Sequence, residues 1–136
     1  MKAVNITLLF DGNAEAALNF YKSVFGGEFE NFQRMTDIPG NPMPAEEANK
    51  VLHATLPIGN SRLMAMDCPK GRIVHNPGNN FMVTVDTESE EETTRAFNAL
   101  SEGGNITMPL ENQFWGAFFG MVTDKLGIKW MLSYVK

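Results

Sequence analysis

A strand pattern, a helix pattern and a pair of glycines occur twice in this 136-residue chain, in the same order, and this duplication restricts the fold more than any other feature. From Ala3 to Phe10, the apolar residues Val4, Ile6, Leu8 and Phe10 alternate with Asn5 and Thr7, the period of a half-buried strand. Apolar residues then recur at Ala14, Ala17, Leu18, Tyr21, Val24 and Phe25, which is helical spacing, and Gly26-Gly27 stops the pattern. The second copy runs from Asn80 to Asp86, where Phe81, Val83 and Val85 alternate with Asn80, Met82 and Thr84. Ser89 and Glu92 have capping-box spacing, Ala96, Phe97 and Leu100 supply the buried stripe after Thr93, and Gly103-Gly104 closes the helix. Phe97 and Gly103 answer Phe20 and Gly26 at one constant offset. Asn80 and Asp86 answer Asn5 and Asp11 at an offset two residues shorter, so the loop before the second helix is expected to be longer.

Each copy continues into three further strands. Glu28–Met35, Val51–Ile58 and Ser61–Asp67 complete the first, with Pro39, Pro42 and Pro44 marking a long loop and Gly59-Asn60 a hairpin turn. Ile106–Met108, Phe114–Thr123 and Ile128–Val135 complete the second. The reading is α+β: two tandem βαβββ modules, residues 1–68 and 79–136, joined by a linker at 69–78 within a single domain.

Composition limits what such a domain does. A formal net charge of −5 without a basic run argues against nucleic acid as a partner. No apolar run is long enough to span a bilayer, and the opening stretch meets Asp11 without a small-residue cleavage site, so the expected location is the cytoplasm and no membrane is involved. One cysteine, Cys68, cannot staple the fold. The expected partner is a small molecule.

The paired βαβββ pattern, with NFYKSVFGG, LMAMD and FWGAFFGMVTDKLGIKWML, resembles the vicinal oxygen chelate superfamily, which includes glyoxalase I, bleomycin-resistance proteins and extradiol dioxygenases, and within it the PhnB-like branch. The resemblance covers essentially the whole chain. It implies two curved sheets with helices outside and a cavity between concave faces. Some relatives carry a demethylubiquinone methyltransferase label, but no glycine-rich strand-to-helix loop for S-adenosylmethionine follows a parallel strand here.

Metal-dependent members of that superfamily bind a divalent ion through side chains on the first and last strands of each module. Matching the strands puts Asn5 (or Ile6, one residue on) and Asn80 where histidine is common, and Met66 and Met131 where glutamate is common. A neutral amide is a far weaker ligand than imidazole or carboxylate, and a thioether suits softer ions, so the expectation is no metal and no cofactor. Strand parity points Asn5, Thr7, His53, Thr55, Met66, Asn80 and Met131 into the cavity as a ligand-binding set. His53 is the candidate for acid–base work, because histidine exchanges protons near neutral pH.

The bland readings of these residues are core filler for the methionines, mutual or water pairing for the asparagines, and a structural role for the histidine. Three functions follow from the resemblance: a metal-independent small-molecule-binding protein or enzyme, a metal-dependent lyase or dioxygenase with non-standard ligands, or a dimeric scaffold without a ligand. The apolar run Phe114, Trp115, Phe118 and Phe119 implies a homodimer.

Overall fold

The alternation at the start of the chain folds as a strand, β1 (Ile6–Phe10), that buries Leu8 and Phe10 and exposes Ile6, Thr7 and Leu9. In the computed structural model, which describes residues 1–40 and 43–136, Asp11–Asn13 lead into helix α1 (Ala14–Phe25), and Ala14, Ala17, Leu18, Tyr21 and Val24 are its buried stripe. Strands β2 (Glu30–Arg34), β3 (Val51–Ile58) and β4 (Ser61–Asp67) complete a sheet of order β1-β4-β3-β2. β1 and β4 run parallel and the other neighbours antiparallel. The proline-rich loop between β2 and β3 contains a 3₁₀ turn at Met35–Asp37 and a short helix, α2 (Ala45–Ala48); its Pro42 lies outside the described residues.

The second half repeats the plan. β5 (Val83–Asp86), α3 (Glu90–Ser101), β6 (Asn105–Asn112), β7 (Ala117–Thr123) and β8 (Lys129–Val135) form a sheet of order β5-β8-β7-β6, again with one parallel pair, β5 and β8. The two halves are separate compact units, Met1–Pro77 and Gly78–Lys136. The Ser89 hydroxyl accepts the Glu92 N–H at 3.0 Å, and the Glu92 side chain reaches back to the Glu88 N–H at 3.1 Å, so α3 begins where the capping signal places it. Thr93, Ala96, Phe97 and Leu100 are buried on the sheet.

Several boundaries differ from the sequence reading. β1 starts at Ile6 and β5 at Val83, so Asn5 and Asn80 precede their strands instead of lying in them. α1 and α3 have equal length and align at a step of 76 residues, which pairs Phe97 with buried Tyr21; Phe20, the expected counterpart, is half-buried. The expected short strand at Ile106–Met108 extends from Asn105 to Asn112. β7 begins at Ala117, because Phe114–Gly116 turn between β6 and β7, with the Gly116 N–H donating to the Gln113 carbonyl at 3.0 Å.

Gly104 does more than stop a helix. A Cβ there would overlap the Thr123 carbonyl oxygen and lie 3.0 Å from Asp124 Cα, so glycine allows the chain entering β6 to approach the end of β7. Just beyond, Asp124 organises the β7–β8 turn. Its carboxyl accepts the Leu126 and Ile128 N–H groups at 2.8 and 3.1 Å and the Trp130 indole N–H at 2.8 Å. Trp130 is fully buried and Asp124 nearly so.

Candidate functional site

Register decides which residues share a sheet face, since partners on neighbouring strands point the same way. In the first sheet Leu8 pairs with Ala65 and Phe10 with Asp67, and all four are buried. Asp67 fixes this as the helix side, because one carboxyl oxygen accepts the N–H groups of Gly12 (2.9 Å) and Ala14 (3.0 Å) at the start of α1. The other oxygen accepts the Val51 N–H at 2.8 Å.

The intervening residues therefore face away from the helix. Thr7 pairs with Met64 and Leu9 with Met66, while Thr55 pairs with Met64 and His53 with Gln33. The Thr7 hydroxyl lies 3.9 Å from the Met64 sulfur. Of these, Thr55 is buried, His53, Met64 and Met66 are half-buried, and Thr7 is exposed. The helix-free face of the first sheet thus holds Thr7, His53, Thr55 and Met66 together, with Asn5 exposed just before it.

The second sheet has the same division. Trp130 and Leu132 are fully buried on the α3 side. Thr84 pairs with Met131, its hydroxyl 3.9 Å from the sulfur, and Met131 pairs in turn with Met121 on β7. Asn80 is exposed, three residues before β5. Met64, Met121 and Gln33 were not singled out from the sequence. Continuing the same period-two parity along β4 and β7 would have found the two methionines; Gln33 follows a register shift in β2 that no sequence pattern signals.

A metal centre of the superfamily's usual kind is not supported by these donors. Asn5 and Asn80 offer amides, Met66 and Met131 offer thioethers, and Asp67, the nearest carboxyl to Met66 along the chain, points to the other face and holds three backbone N–H groups. Such a set does not fit a hard divalent ion. Among the described residues no group of three or more His, Cys, Asp or Glu side chains is arranged to hold a metal.

A separate cleft of about 580 Å³ opens beside the ends of β1 and β4, lined in part by Asp11, Glu47, Lys50, Cys68 and Lys70. None of the seven residues singled out from the sequence lines it. Lys50 and Glu47 form an ion pair at 3.2 Å. Burial pushes the Cys68 thiol up, with the nearby Asp11 and Asp67 charges adding to the effect and Lys50 opposing it. The thiol is thereby kept protonated and a poor nucleophile.

The family described as 3-demethylubiquinone-9 3-methyltransferase matches residues 2–133. The chain is 30% identical to Protein YjdN of Escherichia coli (strain K12), covering 95% of this chain and 92% of that one. Among solved structures, protein PA1353 from Pseudomonas aeruginosa superposes with a TM-score of 0.85 at 35% identity, covering 98% of both chains. A PhnB protein from Bacillus cereus, which shares the demethylubiquinone methyltransferase description, superposes at 0.77 with 29% identity, over 98% of this chain and 100% of that one. The loops from β1 to α1 and from β5 to α3, Asp11–Asn13 and Thr87–Ser89, carry a single glycine between them, so neither is a glycine-rich strand-to-helix loop. The family match, the YjdN relationship and the βαβββ topology common to both sheets together make this chain a member of the PhnB-like family of the vicinal oxygen chelate, or glyoxalase/bleomycin resistance, superfamily.

Proposed function

We propose that this chain is a small-molecule-binding protein or enzyme that works without a hard divalent metal ion, and that its ligand-binding residues are Thr7, His53, Thr55 and Met66 on the helix-free face of the first sheet, with Asn5 just before β1, and Met131 on the helix-free face of the second, with Asn80 ahead of β5. The observation that carries this reading is the make-up of the first sheet's helix-free face: hydroxyls, an imidazole and thioethers on neighbouring rows, with the nearby carboxyl of Asp67 turned to the other side. Hydroxyls and an imidazole orient a polar ligand, while methionine adapts to its apolar parts. His53 is the group positioned to move a proton.

A thermal-shift screen of small carbonyl, aromatic and phosphonate compounds, followed by titration of the best hit, tests the assignment. His53→Ala and Asn80→Leu should each weaken that ligand by about 1–3 kcal/mol, the cost of leaving a ligand polar group unpaired, while unfolding midpoints move less. Unchanged affinity in both variants removes these residues from the site. Elemental analysis of protein purified without added metal should find no stoichiometric Zn, Ni, Mn or Fe; one tightly bound equivalent would instead support a metal-dependent lyase or dioxygenase.

The same proposal includes a cytoplasmic homodimer. No described helix is long and apolar enough to cross a membrane. Phe114 is almost fully exposed and Trp115 half exposed; they stack edge to face at 5.1 Å, and Trp115 stacks on Phe119 at 5.6 Å. Apolar surface of this kind favours association. Sedimentation equilibrium at micromolar concentration should give twice the chain mass, and a monomer mass counts against it.

A further inference from the structure

Three methionines stand side by side across the second sheet. Met108 on β6 pairs with Met121 on β7, and Met121 pairs with Met131 on β8. Simple alternation would put Met108 on the same face as Ile106, which pairs with Val122 on the α3 side. A register shift between Ile106 and Met108 breaks that alternation and sets Met108 opposite Met121, and a second shift before Glu111 follows it. Bulges occur at sheet edges, where β6 lies, and beside sites, where they re-aim a side chain. Met108 is exposed, and Met121 and Met131 are half-buried.

Adjacent strands lie about 5 Å apart, and each methionine has three rotatable bonds beyond Cα, so three sulfurs from successive strands reach one point above Met121. The Met131 sulfur now lies beside the Thr84 hydroxyl, and a change of its terminal torsions swings it toward β7. Thioethers are neutral, soft donors that select Cu(I) over the harder divalent ions. We propose that Met108, Met121 and Met131 form a site for a soft monovalent cation, Cu(I) being the physiological example. This inference does not depend on the small-molecule reading above, since its ligands are three side chains of one sheet and binding involves coordination alone, without electron transfer.

The test is anaerobic titration of the full chain, loaded with Cu(I), against the chromophoric chelator bicinchoninate. One equivalent of Cu(I) should be withheld from the chelator, and Met121→Leu, a nearly volume-conserving change, should lower the affinity tenfold or more. Met64→Leu, on the first sheet, and Cys68→Ser should leave it unchanged. Cu(I) binding that survives in Met121→Leu, or that disappears in Cys68→Ser, overturns the proposal. In the unmodified protein labelled at the methionine ε-methyls, Ag(I) should shift the resonances of Met108, Met121 and Met131; shifts confined to other methionines, or none, also overturn it. This readout needs no variant to fold.

Discussion

Replacing Asp67 with alanine is expected to lower the unfolding free energy by about 3–5 kcal/mol, because three backbone N–H groups lose their acceptor at about 1–3 kcal/mol each. The side chain is 1% exposed and serves three elements at once. One oxygen takes the Gly12 and Ala14 N–H groups, fixing the turn from β1 into α1, and the other takes the Val51 N–H at the start of β3. The N-cap residue Asn13 makes no side-chain cap of its own, so the first turn of α1 depends on this carboxyl from 53 residues away in sequence. Asp67→Ala leaves three N–H groups facing a small void. The loss should fall below the sum of three separate penalties, because water enters the space. Asp67→Asn keeps the volume but turns an NH₂ toward an N–H donor, so it should also destabilise. Urea denaturation of the parent and both variants checks this; midpoints within 0.3 M of the parent, at constant slope, would show that the hydrogen bonds are replaceable.

This role of Asp67 lay beyond the sequence because its partners are distant and are backbone groups. Asp67 before Cys68-Pro69-Lys70-Gly71 reads first as turn chemistry, whereas a carboxyl that caps a helix from the next strand of the sheet leaves no periodic trace. The repeat itself was legible, since the alternation in β1 and the stripes of α1 and α3 follow from one buried face each. Strand starts were overextended for a physical reason. Val4 and Phe81 continue the apolar alternation, yet they are 85% and 44% exposed and precede the ladder, which carried Asn5 and Asn80 into strands that begin one and three residues later. Pro109 hid the second half of β6. A proline ends most strand readings, but β6 is an edge strand with register shifts on both sides of Met108, where a missing N–H costs little. Those same shifts set Met108 opposite Met121, so strict alternation could not have joined the two. The aromatic run at Phe114 read as strand because it is apolar, although Gly116, at φ +94°, makes it a turn.

Asp124→Ala should cost about 2–4 kcal/mol, the second large effect in this chain, because the carboxyl ties the β7–β8 turn to the largest fully buried side chain. Two of its hydrogen bonds close the turn through Leu126 and Ile128, and the Asp124 backbone N–H donates to the Ile128 carbonyl at 2.8 Å. The third holds the Trp130 indole N–H, so Trp130 packs beneath α3 without an orphaned donor. The two parts of the loss are separable. Trp130→Phe removes the indole donor and some volume but leaves both turn hydrogen bonds, so it should cost less than Asp124→Ala. In the double variant the indole contact is lost only once, and the effects should fall short of additive by about 1 kcal/mol. Unfolding of all four proteins followed by circular dichroism, which does not depend on the altered tryptophan, gives the coupling. Additive costs would show that Asp124 acts through the turn alone, and that the pairing with Trp130 contributes nothing to holding β8 in place.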